Sequence, residues 1–128
     1  WSNLFRIMFT LQLEEKLRVK HYQTIAVACH PGVSLTNIHR FMPKILGNSI
    51  FTKMMNTWVF HTPYKAAMPA LMATTSSSIS GGEFVGLNTK NQFRGNPKIV
   101  SPNQLVFDKG LRSILWKKSV GITGVDFQ

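Results

Sequence analysis

Residues 24–29 read TIAVAC and run straight into His30-Pro31-Gly32. A run of small and β-branched residues with no polar alternation predicts a strand covered on both faces, the pattern of a parallel sheet flanked by helices. Pro31 brings no N–H, so it ends the ladder, and Gly32 has no side chain, so another group can come close to the main chain. In open α/β sheets ligands occupy the crevice at the carboxyl ends of the strands. His30-Pro31-Gly32 stands at such an end, and the N–H groups after it, with the Thr36 hydroxyl, are donors that an amide or a phosphate would satisfy. Alone, Pro-Gly reads as an ordinary turn.

The flanking elements fit an α/β fold. Leu4, Ile7, Met8 and Leu11 recur at helical spacing with Leu17 further on, while Arg6, Gln12, Glu15 and Lys16 fall to the other side; this predicts an amphipathic helix of about sixteen residues. Short helical segments are expected around residues 37–41 and 48–58. Thr62-Pro63 is a helix start, a hydroxyl cap followed by a proline whose missing N–H costs nothing there. That helix should run to Ala73 or Thr74 with a kink at Pro69. Residues 76–82 read as a loop and residues 83–87 as a second strand, parallel to the first because a long helical crossover separates them. Ser101-Pro102 repeats the cap-plus-proline signal and predicts a last helix with Leu105, Leu111, Ile114 and Leu115 inward, weakened at Gly110 by about 1 kcal/mol.

With 128 residues and 44% hydrophobic content, the chain has the length of a single domain able to bury roughly two-thirds of its unfolded surface. Fifteen Lys and Arg against five Asp and Glu give a net charge of +10, which raises binding to nucleic acid or an anionic membrane. The basic residues are scattered from Arg6 to Lys118, however, and no nucleic-acid motif accompanies them, so the charge reads as a solvated surface. The single cysteine, Cys29, excludes an internal disulfide, reads as a small buried hydrophobe and suits a cytoplasmic setting. Pro43, Lys44, Gly47 and Lys53 interrupt residues 41–60, so that stretch is no membrane-spanning helix. His21, His30, His39 and His61 lack metal-ligand spacing. Glu14 and Glu15 should diverge on the helix surface and form no acid/base pair, and Ser76, Ser77, Ser78 and Ser80 read as loop rather than nucleophile. The chain opens at Trp1 already in a helical pattern, and a preceding portion is expected.

Three blocks together carry a family resemblance. TIAVACHPGVSLTNI, preceded by SNLFRIMFTLQLEEKL and followed by TPYKAAMPALMATTSSSISGGEFVG, resembles the C-terminal half of the short-chain dehydrogenase/reductases, most closely the retinol-dehydrogenase-like and protochlorophyllide-reductase-like branch. The tail NPKIVSPNQLVFDKGLRSILWKKSVGITGV is similar to the closing segment of many members. The resemblance implies the C-terminal portion of a Rossmann-type doubly wound parallel sheet, its last two strands with flanking helices, in one domain over residues 1–128. It also implies NAD(P)(H)-dependent interconversion of a carbonyl and an alcohol, with NADP(H) slightly favoured.

Carried over by position, Pro31, Gly32, Val33 and Thr36 match the Pro-Gly-x-x-x-Thr element that contacts the nicotinamide carboxamide and a nearby phosphate. The backbone of Val33 would bond the carboxamide and Thr36 would supply its hydroxyl. Residues 37–60 correspond to the variable substrate loop, where Phe41, Met42, Leu46, Met54 and Met55 would suit a small hydrophobic carbonyl compound or alcohol, although they serve equally as ordinary packing. The sequence departs from the family at Asn3, which occupies the position of the catalytic lysine and supplies no charge to lower a tyrosine pKa. The family's tyrosine aligns just ahead of Trp1. Gly81-Gly82 cannot act as the glycine-rich phosphate loop, because it precedes a strand instead of joining a strand to a helix, so residues 1–128 alone are expected to hold no dinucleotide and to be inactive by themselves.

Two further readings are kept beside the oxidoreductase. One is a basic, non-catalytic module that associates with nucleic acid or the periphery of an anionic membrane. The other is an interaction role, with homodimer formation through helices of this region. Low stability and a tendency to aggregate are expected of the chain, because residues 24–29 would expose an unpaired strand edge.

Overall fold

The computed structural model describes residues 2–32, 62–89 and 95–127. The helical segments expected around residues 37–41 and 48–58 lie outside them.

Helix α1 spans Ser2–Val19, a stretch with no glycine or proline to interrupt it. Lys16 and Arg18 sit in its last turn, where cations meet the negative end of the helix dipole. It closes with the Tyr22 N–H donating to the Leu17 carbonyl (3.0 Å) and the His21 N–H to the Arg18 carbonyl (3.0 Å), the paired bonds of a Schellman ending. His21 takes the left-handed conformation, φ 56°, that glycine more often occupies in this ending.

Among the described residues three strands follow: β1 (Ala28–Cys29), β2 (Phe84–Leu87) and β3 (Pro97–Ile99), in the order β1-β2-β3. The Ala28 N–H donates to the Glu83 carbonyl (3.1 Å) and the His30 N–H to the Val85 carbonyl (2.9 Å). Both strands advance together along these bonds, so they run parallel. β3 was not anticipated. It pairs antiparallel with β2, Val85 opposite Ile99 and Leu87 opposite Pro97, so the sheet is mixed and not purely parallel. Proline is tolerated there because it is the first residue of the strand.

The expectation of burial on both faces is corrected for residues 24–29. Only Ala28–Cys29 of that run is strand, so the expected strand over residues 24–29 is shortened to its last two residues; Ile25, outside it, is 48% exposed, and Cys29 is exposed. The two-sided burial belongs to β2, the middle strand, whose Val85, Gly86 and Leu87 are all buried.

The chain divides into two compact units. The first comprises Trp1–Ala28, Ser77–Phe84 and Val100–Gln128, and its core is Met8 and Leu17 of α1 with Ala26, Ile79, Val106 and Trp116. The second comprises Cys29–Ser76 and Val85–Ile99, with Val85, Leu87 and Pro69 among its fully buried side chains. Helix α2 of that unit spans Pro63–Thr75, with Pro63 in the first turn, Pro69 inside it, and the Thr62 side chain accepting from the Lys65 N–H (3.4 Å).

The last helix departs from expectation. Ser101-Pro102 does not open it. Asn103 caps a short 3-10 turn, Gln104–Phe107, through the Leu105 N–H (3.0 Å), and Asp108 caps helix α3, Lys109–Thr123, through the Leu111 N–H (2.9 Å). Leu105, Leu111 and Ile114 are exposed and Leu115 is half-buried, while Val106, Arg112 and Trp116 are buried. Moving the start from Ser101 to Asp108 leaves Leu105 in a separate turn, outside the helix. The inner face of the helix is formed by Arg112, paired with Glu15 of α1, and by Trp116, stacked on Phe9 of α1, instead of by the leucines.

Candidate functional site

Gly32 stands three residues beyond the last residue of β1, at the carboxyl end of the parallel pair. The His30 N–H is held by the Val85 carbonyl, and Pro31 has no N–H to place. The chain then turns at Gly32 with φ 75°, a conformation that side chains with a Cβ rarely adopt. The Gly32 N–H donates to Nδ1 of His30 at 3.0 Å. Pro31 is exposed and Gly32 half-buried, so the main chain at the turn can be approached. Of the residues expected to line a cofactor or substrate, Pro31 and Gly32 are described. Val33, Thr36, Phe41, Met42, Leu46, Met54 and Met55 lie outside the described residues. Asn3 sits exposed in the first turn of α1.

Glu14 lies in the first unit and was misjudged as a surface residue. It is 6% exposed. Its Oε2 accepts the Ala26 N–H at 2.7 Å and its Oε1 the Arg18 Nε–H at 2.7 Å. The Gly82 N–H donates to the Ala26 carbonyl at 2.8 Å, so Ala26 is held on both sides. A Cβ at Gly81 would collide with the Glu14 carboxylate. Gly81-Gly82 is therefore where the turn clears a buried carboxylate. Glu15 pairs with Nη2 of Arg112 (3.3 Å) on α3 and, more distantly, with Lys109 Nζ (4.0 Å). Arg112 is itself buried and its Nε has no hydrogen-bond partner. These two carboxylates join elements. They do not form a paired acid/base site.

Trp116 gathers a second cluster in the same unit. Its indole N–H donates to Asp126 Oδ1 (2.9 Å), Phe9 stacks on it at a centroid distance of 4.9 Å, and Lys16 Nζ lies 4.9 Å from its ring centre and 3.8 Å from Asp126. The Trp116 indole bond holds the Asp126 carboxyl below its ordinary value of 3.8, against the opposing effect of desolvation and with further, lesser help from Lys16. Phe127 extends the cluster by an edge contact to Tyr22. A cavity of about 470 Å³ lies beneath this tail, lined by Phe9, Leu13, Trp116, Val120, Val125 and Phe127 among others. The Glu14–Arg18 spacing of four residues was the one sequence signal for any of these contacts. Nothing local marked Trp116 and Asp126 as partners.

Among the described residues, no group of three or more His, Cys, Asp or Glu side chains could hold a metal ion, and no helix is long and apolar enough to cross a membrane.

No family model matches this chain, and no curated protein matches it. Among solved structures, the chain is similar to the crystal structure of an uncharacterized protein from Mycobacterium Paratuberculosis, with a TM-score of 0.65 and 22% sequence identity over 98% of this chain and 38% of that one. At that identity the likeness is one of fold. The mixed α/β arrangement described above recurs there within a longer chain, of which this one spans 38%.

Proposed function

We propose that the chain supplies the cofactor-facing C-terminal portion of an NAD(P)(H)-dependent oxidoreductase of the short-chain dehydrogenase/reductase type, with a Rossmann-type sheet, acting on a small hydrophobic carbonyl compound or alcohol. The observation that carries this reading is the turn at Gly32. It stands at the carboxyl end of the parallel β1/β2 pair, open to approach, in a conformation that glycine tolerates best. That is where ligands of open α/β sheets bind. A flat nicotinamide ring can rest against main chain that bears no side chain.

The chain's own residues then bind and orient the nicotinamide. The catalytic proton step calls for a tyrosine beside a lysine, and Asn3 supplies no charge for it, so within these residues the role is binding and not proton transfer.

Titration of the oxidoreductase to which the chain contributes this portion with NADPH and NADH, followed by saturation-transfer NMR, tests the reading. The expected result is binding of the reduced nucleotides, NADPH the more tightly, lost in Gly32→Val because valine is strained at φ 75°. Absence of binding, or equal binding by Gly32→Val, overturns it. Association that instead weakens steeply with salt and ignores NADPH would select the basic binding module.

A further inference from the structure

Once the His30 N–H has gone to the Val85 carbonyl, the next donor along the chain is the Gly32 N–H, because Pro31 has none. A part-buried donor needs a partner, and this one finds it in the ring two residues back, Gly32 N to His30 Nδ1 at 3.0 Å. We propose that His30 is a positioning residue for the candidate site: its imidazole, neutral and protonated on Nε2, holds Gly32 in the left-handed turn by accepting the Gly32 N–H at Nδ1, and so withholds that N–H from any ligand.

A ring nitrogen that accepts a hydrogen bond carries no proton, which fixes the tautomer. Nδ1 of histidine stands as many bonds from Cα as Oδ1 of asparagine, so the ring does here what an Asx side chain does when it bonds the backbone two residues on. None of the ion pairs among the described residues involves His30, so no such partner competes for Nδ1. A ligand at this edge must draw its main-chain donors from beyond Gly32. That the ligand is a nicotinamide rests on the proposed function. The bond between ring and turn does not.

The test compares the oxidoreductase to which the chain contributes with its His30→Asn and His30→Leu variants at pH 8. Three quantities are read: the imidazole ¹⁵N shifts, hydrogen exchange at the Gly32 amide, and affinity for NADPH. Circular dichroism checks that each variant folds. The expected signature is the Nε2–H tautomer of His30. Gly32 protection should fall about fivefold in His30→Leu, the scale of one net hydrogen bond, and be retained in His30→Asn. NADPH affinity should follow the same order.

An Nδ1–H tautomer, or equal Gly32 protection in all three proteins, overturns the proposal, and the wild-type spectrum alone can do so even if a variant fails to fold. NADPH affinity that is equal in all three while protection differs also overturns it. If the bond signatures are as expected and none of the three binds NADPH, His30 still positions the turn and the oxidoreductase reading fails by itself.

Discussion

Asp126 shows how much one side chain near the end of the described chain can organise. It accepts the Trp116 indole N–H and faces Lys16, and the indole bond holds its carboxyl below the ordinary value of 3.8. A carboxyl lowered in the folded state contributes stability that is complete above its unfolded pKa and is lost as pH falls through the folded one. The Trp116 indole N–H resonance should therefore stay constant from neutrality down to about pH 4 and shift only below it. In Asp126→Asn it should show no such acid transition. A shift centred well above pH 4 would contradict the account. None of this was legible in the sequence. Trp116 and Asp126 lie ten residues apart, on a helix and on the tail after it, and only the left-handed turn at Gly124, φ 70°, brings the tail back.

Elements join through Glu14. It stands on α1, receives the Ala26 N–H just ahead of β1 and fits against Gly81 before β2. Glu14→Leu removes the acceptor of a buried N–H and should cost about 2–3 kcal/mol, since the bond is charge-assisted and its loss strands the donor. Arg18→Ala breaks only the mostly exposed side of the same contact, Arg18 being 67% exposed in its side chain, and should cost well under 1 kcal/mol. Urea unfolding of both variants checks the contrast, and equal losses would contradict it. Local chemistry was readable where it had no rival. Thr62-Pro63 opens α2 because one hydroxyl meets one free N–H. At Ser101-Pro102 the same signal competes with Asn103 and Asp108 downstream, both of which cap instead. Cap chemistry alone cannot rank three acceptors within eight residues.

For the whole molecule, the α/β order and the parallel relation of β1 and β2 followed from sequence, because a long crossover leaves a parallel pair little alternative. The identity of the buried strand did not. TIAVAC and FVGL are both continuous apolar runs; among the described residues the sheet order β1-β2-β3 makes the second central and leaves the first with one neighbouring strand, the unpaired edge expected of residues 24–29. The exposure of Cys29 and Ile25 was not legible, because burial depends on what packs against a segment, and no window of sequence contains that. At the candidate site, Pro31 and Gly32 could be singled out because proline and glycine act through the backbone. The contribution of His30 could not, since it depends on a ring orientation. The main chain at Gly32 is proposed to form part of the wall of a nicotinamide site. Amide mapping by ¹H–¹⁵N spectra as NADPH is added to the oxidoreductase that contains these residues tests it. The account predicts that the Gly32 amide and its sequence neighbours shift first and saturate together, with the Trp116 indole unmoved. Shifts confined to the Trp116 cluster, or none anywhere, would contradict it.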